Sequence, residues 1–369
     1  MKNLKDINKR IVDRTDCFYW QCDRKISDEE AEQIFADKHQ GIENEKLIKA
    51  ANAYLKDKVV RIEEPLKQGT INSVNSMRVG VLQSGREVLF RCHPKGIAQG
   101  YFHVESLAAQ KTKDAGFPSY STLAIHDANK DCDVSFQIIE KLDGENVQKY
   151  LLEQQGDANK YSYKSGKLMA QFHKANIKVE GFGKFDNIVA RNQGKLVGLS
   201  NTFADSMRAG LQYELKYLLD SGIITKAQAK QIFDVFNEDN PLLKLEKPVL
   251  VHNDFIDWNL MTDGSEITGI IDWDECIASH PTCDIASYST FVSKERFNNF
   301  LNGYFSETPK TETFDKEFIL FELRYWVMKV VIRLRKYLVE KNTERKNKLE
   351  SGTKYFKELL EKNEIGAGK

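Results

Sequence analysis

The chain has 369 residues, enough for two sizeable cores, and an ordinary globular composition of 41% hydrophobic and 11% aromatic residues. Its 54 Lys and Arg balance 54 Asp and Glu, which leaves no global basic field for nucleic acid. No uncharged apolar run approaches the roughly 20 residues that span a bilayer, so no membrane partner is expected.

The opening Met1-Lys2-Asn3-Leu4-Lys5-Asp6 has no apolar core, and no secretory leader is expected. Cys17/Cys22 and Cys276/Cys283 lack CxxC spacing. Zinc ligation is therefore not expected, and free thiols in a reducing cytoplasm are. In residues 1–55, Ser27 is placed to cap a helix, with Glu30 at the capping-box position. Ile42–Leu55 reads as a second amphipathic helix. These helices are expected to pack on the β-rich stretch after residue 55, with self-association as the alternative. Tyr19 and Trp20 mark the region as folded.

Residues 59–92 read as three strands, Val59–Ile62, Met77–Leu82 and Glu87–Arg91, with turns near Gly69 and at Ser84-Gly85. Gln68-Gly69-Thr70-Ile71-Asn72-Ser73-Val74 lies between the first two. Gly69 permits close backbone approach, and Thr70, Asn72 and Ser73 supply donors, although an ordinary turn has the same composition. A helix runs from His103 and ends near Gly116-Phe117-Pro118. Val134–Ile139 is a buried strand that runs into a linker, Glu140-Lys141-Leu142-Asp143-Gly144. Residues 144 onward are mainly helical. Ser165–His173, 202–220, 225–237 and 315–340 carry helical periodicity, and the aromatic stripe of 315–340 is expected to face a core. Twelve Lys and Arg against six Glu in 329–369 read as a solvated basic helix, the alternative being contact with an anionic surface.

The segment of most chemical consequence is Val251-His252-Asn253-Asp254-Phe255-Ile256-Asp257-Trp258-Asn259, succeeded by Ile270-Ile271-Asp272-Trp273-Asp274. Pro248–Val251 reads as a short buried strand. Asp263-Gly264 is a two-residue hairpin signal. A turn centred there pairs Asn259 near Thr268 and carries Asp272 back toward the 254–259 loop. Asp254, Asn259 and Asp272 then share one small volume. Their oxygens are the hard ligands magnesium prefers, and a further carboxylate beside an acceptor can orient a hydroxyl and take its proton. The plain alternative is an acidic surface hairpin.

At these residues the chain resembles the aminoglycoside phosphotransferase and choline kinase-like family of small-molecule kinases, which shares its core with protein kinases. The resemblance covers roughly residues 56–300. It implies an α+β, bilobal protein kinase-like fold. Residues 56–143 would be a small β-rich lobe with one main helix, and 144–369 a larger, mainly helical lobe, preceded by the helical extension 1–55. It implies Asp254 as the catalytic carboxylate, Asn259 and Asp272 as magnesium ligands, and His252 and Asp284 as structural support. Gly69, Thr70, Asn72 and Ser73 match the loop that covers nucleotide phosphates. Arg91 stands where protein kinases use lysine, with Lys95 as a rival, and Glu105 is its partner. The backbone from Glu140 to Leu142 matches the hinge that meets adenine.

The cofactors so implied are magnesium and ATP, with GTP not excluded. The acceptor is a hydroxyl of a small molecule, and the protein a monomer or homodimer. An aminoglycoside-like amino sugar is the first expectation, with Asp257, Asp274 and Glu275 as candidate substrate carboxylates. Asp257 is otherwise a solvent-facing charge. Glu317 or Glu322 is placed to join them, and Trp258 or Trp273 to stack on the ligand. Choline, an amino acid or another sugar are the alternative acceptors, and a non-catalytic nucleotide-binding protein the alternative class. Ser279-His280-Pro281 departs from the Gly-Asp-Pro usual in the family.

Overall fold

Alternating β-branched and aromatic residues build the first sheet of the computed structural model, which describes residues 27–66, 75–97, 100–154 and 156–365. Its strands are β1 (Val59–Ile62), β2 (Ser76–Leu82), β3 (Glu87–Cys92), β4 (Thr122–His126) and β5 (Phe136–Glu140). They are antiparallel in the order β1-β2-β3-β5-β4. Gly85, at φ 86°, makes the β2–β3 turn. One face buries Val59, Leu82, Val88, Phe90, Phe136 and Ile138. Helix α1 (Asp28–Ala36) is capped by Ser27, whose Oγ accepts from the Glu30 N–H. Helix α2 (Asn44–Tyr54) covers that sheet face with Leu47 and Ala51. α3 (Phe102–Asp114) packs on residues 273–275 of the larger lobe and so joins the two halves.

The larger lobe starts with β6 (Glu145–Asn146), α4 (Val147–Gln154) and α5 (Ala158–Lys174). β7 (Phe182–Phe185), α6 (Asn187–Gln193) and β8 (Gly198–Ser200) come next. The helical stretch expected at 202–220 is two helices, α7 (Phe203–Arg208) and α8 (Leu211–Asp220), broken at Gly210 with φ 73°. Arg324 accounts for the break. Its guanidinium binds the Met207 and Ala209 carbonyls that α7 leaves open at its end, and pairs with Glu214 at 2.7 Å. α9 (Lys226–Val235) carries a full capping box from Thr225 and Gln228.

β9 (Val249–Val251), β10 (Leu260–Thr262), β11 (Ile267–Ile270) and β12 (Ile277–Ser279) carry the site. They lie in two small antiparallel sheets, β11-β10-β6 and β8-β7-β12-β9. Then come α10 (Thr282–Ser289), α11 (Lys294–Glu307), α12 (Phe314–Glu340) and α13 (Thr343–Lys362). The stripe on α12 buries Phe321, Leu323, Trp326, Val327, Val330 and Val331, as its periodicity predicts. α1 touches α12 as well, so the extension spans both lobes. Among the described residues no helix is long and apolar enough to cross a membrane.

α5 and α11 cross with their backbones in contact. A Cβ on Gly166 would lie 2.0 Å from the Phe300 carbonyl oxygen, and one on Gly303 2.0 Å from that of Tyr163. Backbone cannot yield as a flexible side chain does. Gly303→Ala is therefore expected to destabilise the chain by roughly 1–3 kcal/mol through overpacking. Urea unfolding would measure this, and an unchanged midpoint would show that the helices can separate freely.

Candidate active site

The apolar strand β9 delivers His252 into full burial at the head of the loop. There His252 Nδ1 accepts from the Asp254 N–H at 3.3 Å, so the ring proton sits on Nε2 and is donated to the Ile271 carbonyl at 3.0 Å. Asp284 braces the same loop from α10. Its carboxylate accepts from the N–H groups of His252 (3.0 Å) and Asn253 (2.5 Å), and from His173 Nε2 at 3.1 Å. His173 is held in turn by the Tyr304 hydroxyl at 2.9 Å. Asn253 takes φ 70°, a conformation stabilised by Ser287 Oγ on its carbonyl and by Tyr325 on its side chain. The Ser279-His280-Pro281 segment therefore leads into α10 with Asp284 in contact with the loop.

The hairpin differs in register from the two-residue turn. Residues 263–266 form the loop, Thr262 pairs with Ile267, and a bulge lets Met261 face Gly269 and Leu260 face Ile270. Side chains close this wider turn. Asp263 Oδ1 accepts from the Ser265 and Glu266 N–H groups, and Thr262 Oγ1 from that of Gly264. As a result Asn259 lies opposite Ile271, not Thr268; its carbonyl takes the Ile271 N–H at 2.9 Å. Asp272 comes immediately after, at φ 65°.

Asn259 Nδ2 donates to the backbone oxygen of Asp254 (2.9 Å) and to its Oδ2 (2.7 Å). Trp258 Nε1 reaches the same Oδ2 at 3.3 Å. Asp254 Oδ1 and Asn259 Oδ1 have no hydrogen-bond partner among the described residues. Burial, reinforced by Glu275, raises Asp254 to about 7, and the Lys329 ammonium opposes that rise.

On the other side of the cleft, Arg91 Nη1 binds buried Glu105 of α3, and Nη2 binds Asp272 Oδ1 at 2.7 Å. Burial opposes the guanidinium charge, but Glu105 and then Asp272 outweigh it and raise its pKa. Burial, with Asp272 and Glu105 next, holds Asp274 well above the carboxylate range. Lys95, the rival cation, pairs instead with Asp133 at 2.8 Å on the surface. Gly69, Thr70, Asn72 and Ser73 lie outside the described residues. At the hinge, Glu140 turns its carboxylate to Lys113 and the Ser121 N–H, while the Leu142 N–H has no partner among the described residues.

Asp257 is corrected. It is neither a substrate ligand nor a solvent-facing charge, because it is buried and paired with Arg296 at 2.9 Å. Trp273 is also corrected: it is 0% exposed, with Nε1 on Ser119 Oγ, and cannot stack on a ligand. Glu322 is buried on Ser289 and Tyr355. Glu275 pairs with Lys184 at 2.8 Å. Four residues that sequence reasoning passed over complete the surroundings. Gln137 stands 3.4 Å from Arg91. Tyr120 buries a hydroxyl that has no partner among the described residues, within the electrostatic reach of Glu105 and Arg91. Phe291 meets Trp258 edge-on at 5.1 Å, and Lys329 caps Phe291. Only Lys329 left a trace in the sequence, as a charge one helical turn beyond Tyr325 on an otherwise apolar stripe.

The sequence pattern of the phosphotransferase enzyme family (APH) matches residues 65–314, more than half of the chain. The chain belongs to that family. No curated protein matches it. Among solved structures similar to this family member is a thermostable mutant of aminoglycoside phosphotransferase APH(4)-Ia, in ternary complex with AMP-PNP and hygromycin B. It is 17% identical, with 88% of this chain and 99% of that one covered and a TM-score of 0.61. A putative fructosamine-3-kinase from Thermobifida fusca YX-ER1 is 14% identical over 84% and 97% of the two chains, with a TM-score of 0.55. A choline/ethanolamine kinase family protein from Mesorhizobium loti is 13% identical over 81% and 87%, with a TM-score of 0.51. These likenesses show the bilobal protein kinase-like fold.

Burial lowers the pKa of His252 from its ordinary 6.5. The unfolded chain then binds that proton more readily than the folded one. The stability contributed by neutral His252 is fully present above the unfolded value and is lost as pH falls below it. Urea midpoints measured from about pH 8 to about pH 5 should decline, and His252→Gln should make the decline shallower. An identical slope in the variant would show that His252 does not titrate against the loop.

Proposed function

We propose that the chain is an ATP-dependent small-molecule kinase that moves the γ-phosphate to an acceptor hydroxyl. One observation carries this reading. Asp254 and Asn259 from the 252–259 loop and Asp272 from the end of the hairpin come together beside Arg91 and Glu105. An acidic surface hairpin would not brace its loop with a buried aspartate or face a buried guanidinium.

In the reaction the acceptor oxygen attacks the γ-phosphorus while the bond from that phosphorus to the β,γ-bridging oxygen breaks, and ADP leaves. Asp254 Oδ1 orients the hydroxyl and receives its proton, while Asn259 and Trp258 fix the carboxylate through Oδ2. Arg91 presents charge to the phosphates, with Glu105 fixing its direction. The Gly69–Ser73 loop would cover them. Adenine would pair with backbone around Glu140–Leu142. A pairing that uses backbone groups also admits GTP.

The donor set fits magnesium. Asn259 Oδ1 is unpartnered among the described residues, and the Asp272 side chain is 39% exposed with one oxygen free of Arg91. These two groups would hold the ion, which when bound neutralises phosphate charge.

Asp254→Ala is expected to lower turnover by roughly 10²–10⁴-fold with modest loss of nucleotide affinity. Asp272→Ala should remove the magnesium dependence of ATP binding, read by calorimetric titration with and without the metal. Unchanged turnover in the first variant would rule out the catalytic role of Asp254. Unchanged metal dependence in the second would rule out Asp272 as a ligand.

A further inference from the structure

A continuous set of contacts leads from the Asp254 carboxylate to the Lys329 ammonium. Trp258, 36% exposed, bonds Asp254 through its indole N–H and meets Phe291 edge-on at 5.1 Å. The Lys329 Nζ stands 3.2 Å from the centre of the Phe291 ring and donates to Thr290 Oγ1 at 3.1 Å. Tyr325, one turn earlier on the same face of α12, touches Asn253 inside the catalytic loop. Lys329 makes no ion pair among the described residues, although its charge acts on Asp254 and Glu275. Arg91 is committed to Glu105 and Asp272, whereas Lys329 contacts Thr290 and Phe291 and neither of those carboxylates among the described residues, which assigns Lys329 to the acceptor and not to the nucleotide.

Of the carboxylates offered to a cationic acceptor beside Asp254 and Asp274, four are already engaged. Asp257 is held by Arg296, Glu275 by Lys184, Glu317 by Thr313 and Thr282, and Glu322 by Ser289 and Tyr355. A polycationic amino sugar entering here would meet an unpaired ammonium and no unengaged member of that set.

We propose, resting on the kinase reading above, that the acceptor is a hydroxyl compound bearing an oxyanion, which pairs with Lys329 while its carbon frame lies on Trp258 and Phe291. Burial pulls the Lys329 ammonium down to about 7, and an anion brought beside it offsets that desolvation. Charge complementarity of this kind selects partners as much as it adds affinity.

The test is phosphate transfer from MgATP to three charge classes: gluconate, glucuronate and glycerol 3-phosphate; glycerol and glucose; and choline, glucosamine and kanamycin. The first arm separates carboxylate from phosphate as the source of the anion. Transfer should favour an anionic compound. Lys329→Met should raise KM for that compound roughly ten- to hundredfold and flatten the preference, and Lys329→Glu should tilt it toward cations. MgATP binding by both variants shows that they are folded. The proposal is overturned if a cation is the best acceptor, if the anions are silent while MgATP binds, or if Lys329→Met leaves the order unchanged. It is equally overturned by a uniform fall in kcat for every acceptor, which would assign Lys329 to the transferred phosphate. Failure to bind MgATP at all would instead remove the kinase reading beneath it.

Discussion

Arg91 is almost completely buried, and each of its terminal nitrogens is committed to a carboxylate from a different part of the chain. Glu105 brings α3, and Asp272 brings the end of the hairpin in the large lobe. Removing either partner would leave one nitrogen of a buried guanidinium unpaired, which costs more than a surface pair contributes. The guanidinium thus ties the small lobe to the larger one at the end of the hairpin. It also sets the charge there. Burial and the crowding of Asp272, Asp274 and Glu105 about one guanidinium raise Asp274 and Glu105, and a divalent ion carrying phosphates would relieve that crowding.

The 252–259 loop is held for a separate reason. Its backbone donors are satisfied by Asp284, its entrance by a neutral His252, and its exit by Asn259 on both oxygens of Asp254 that it can reach. Asp254 is therefore held through its Oδ2, while its Oδ1 has no partner among the described residues; under the proposed reading this is the preorganisation that phosphoryl transfer depends on. Bulging the hairpin serves the same end, since it moves Asp272 beside Asn259 instead of leaving it further along the strand.

How far the sequence can be read depends on the range of each interaction. The strands of the small lobe, the α12 stripe and the Ser27 cap depend on neighbours within a few residues, and they fall where local periodicity puts them. The 252–259 and 270–274 segments were legible because their residue types and spacing are constrained together. Asp257 was not, because its partner Arg296 lies 39 residues away on a helix whose packing no local pattern reveals. The break at Gly210 depends likewise on Arg324, which is 115 residues from Ala209. The hairpin register turned on Asp263 and Thr262 closing a wider loop with their side chains, against the shorter turn that Asp-Gly favours by itself. Lys329 looked like a solvated charge because only the folded chain places Phe291 beneath it.

The most direct measurement is transfer of labelled γ-phosphate from MgATP to the charge-sorted acceptor panel, run beside Asp254→Ala. The account predicts transfer by the native chain that all but disappears in the variant while MgATP still binds. Transfer that persists in the variant would contradict the role of Asp254, and MgATP bound with neither transfer nor slow Asp254-dependent hydrolysis would contradict the kinase reading and leave a nucleotide-binding protein on a kinase fold.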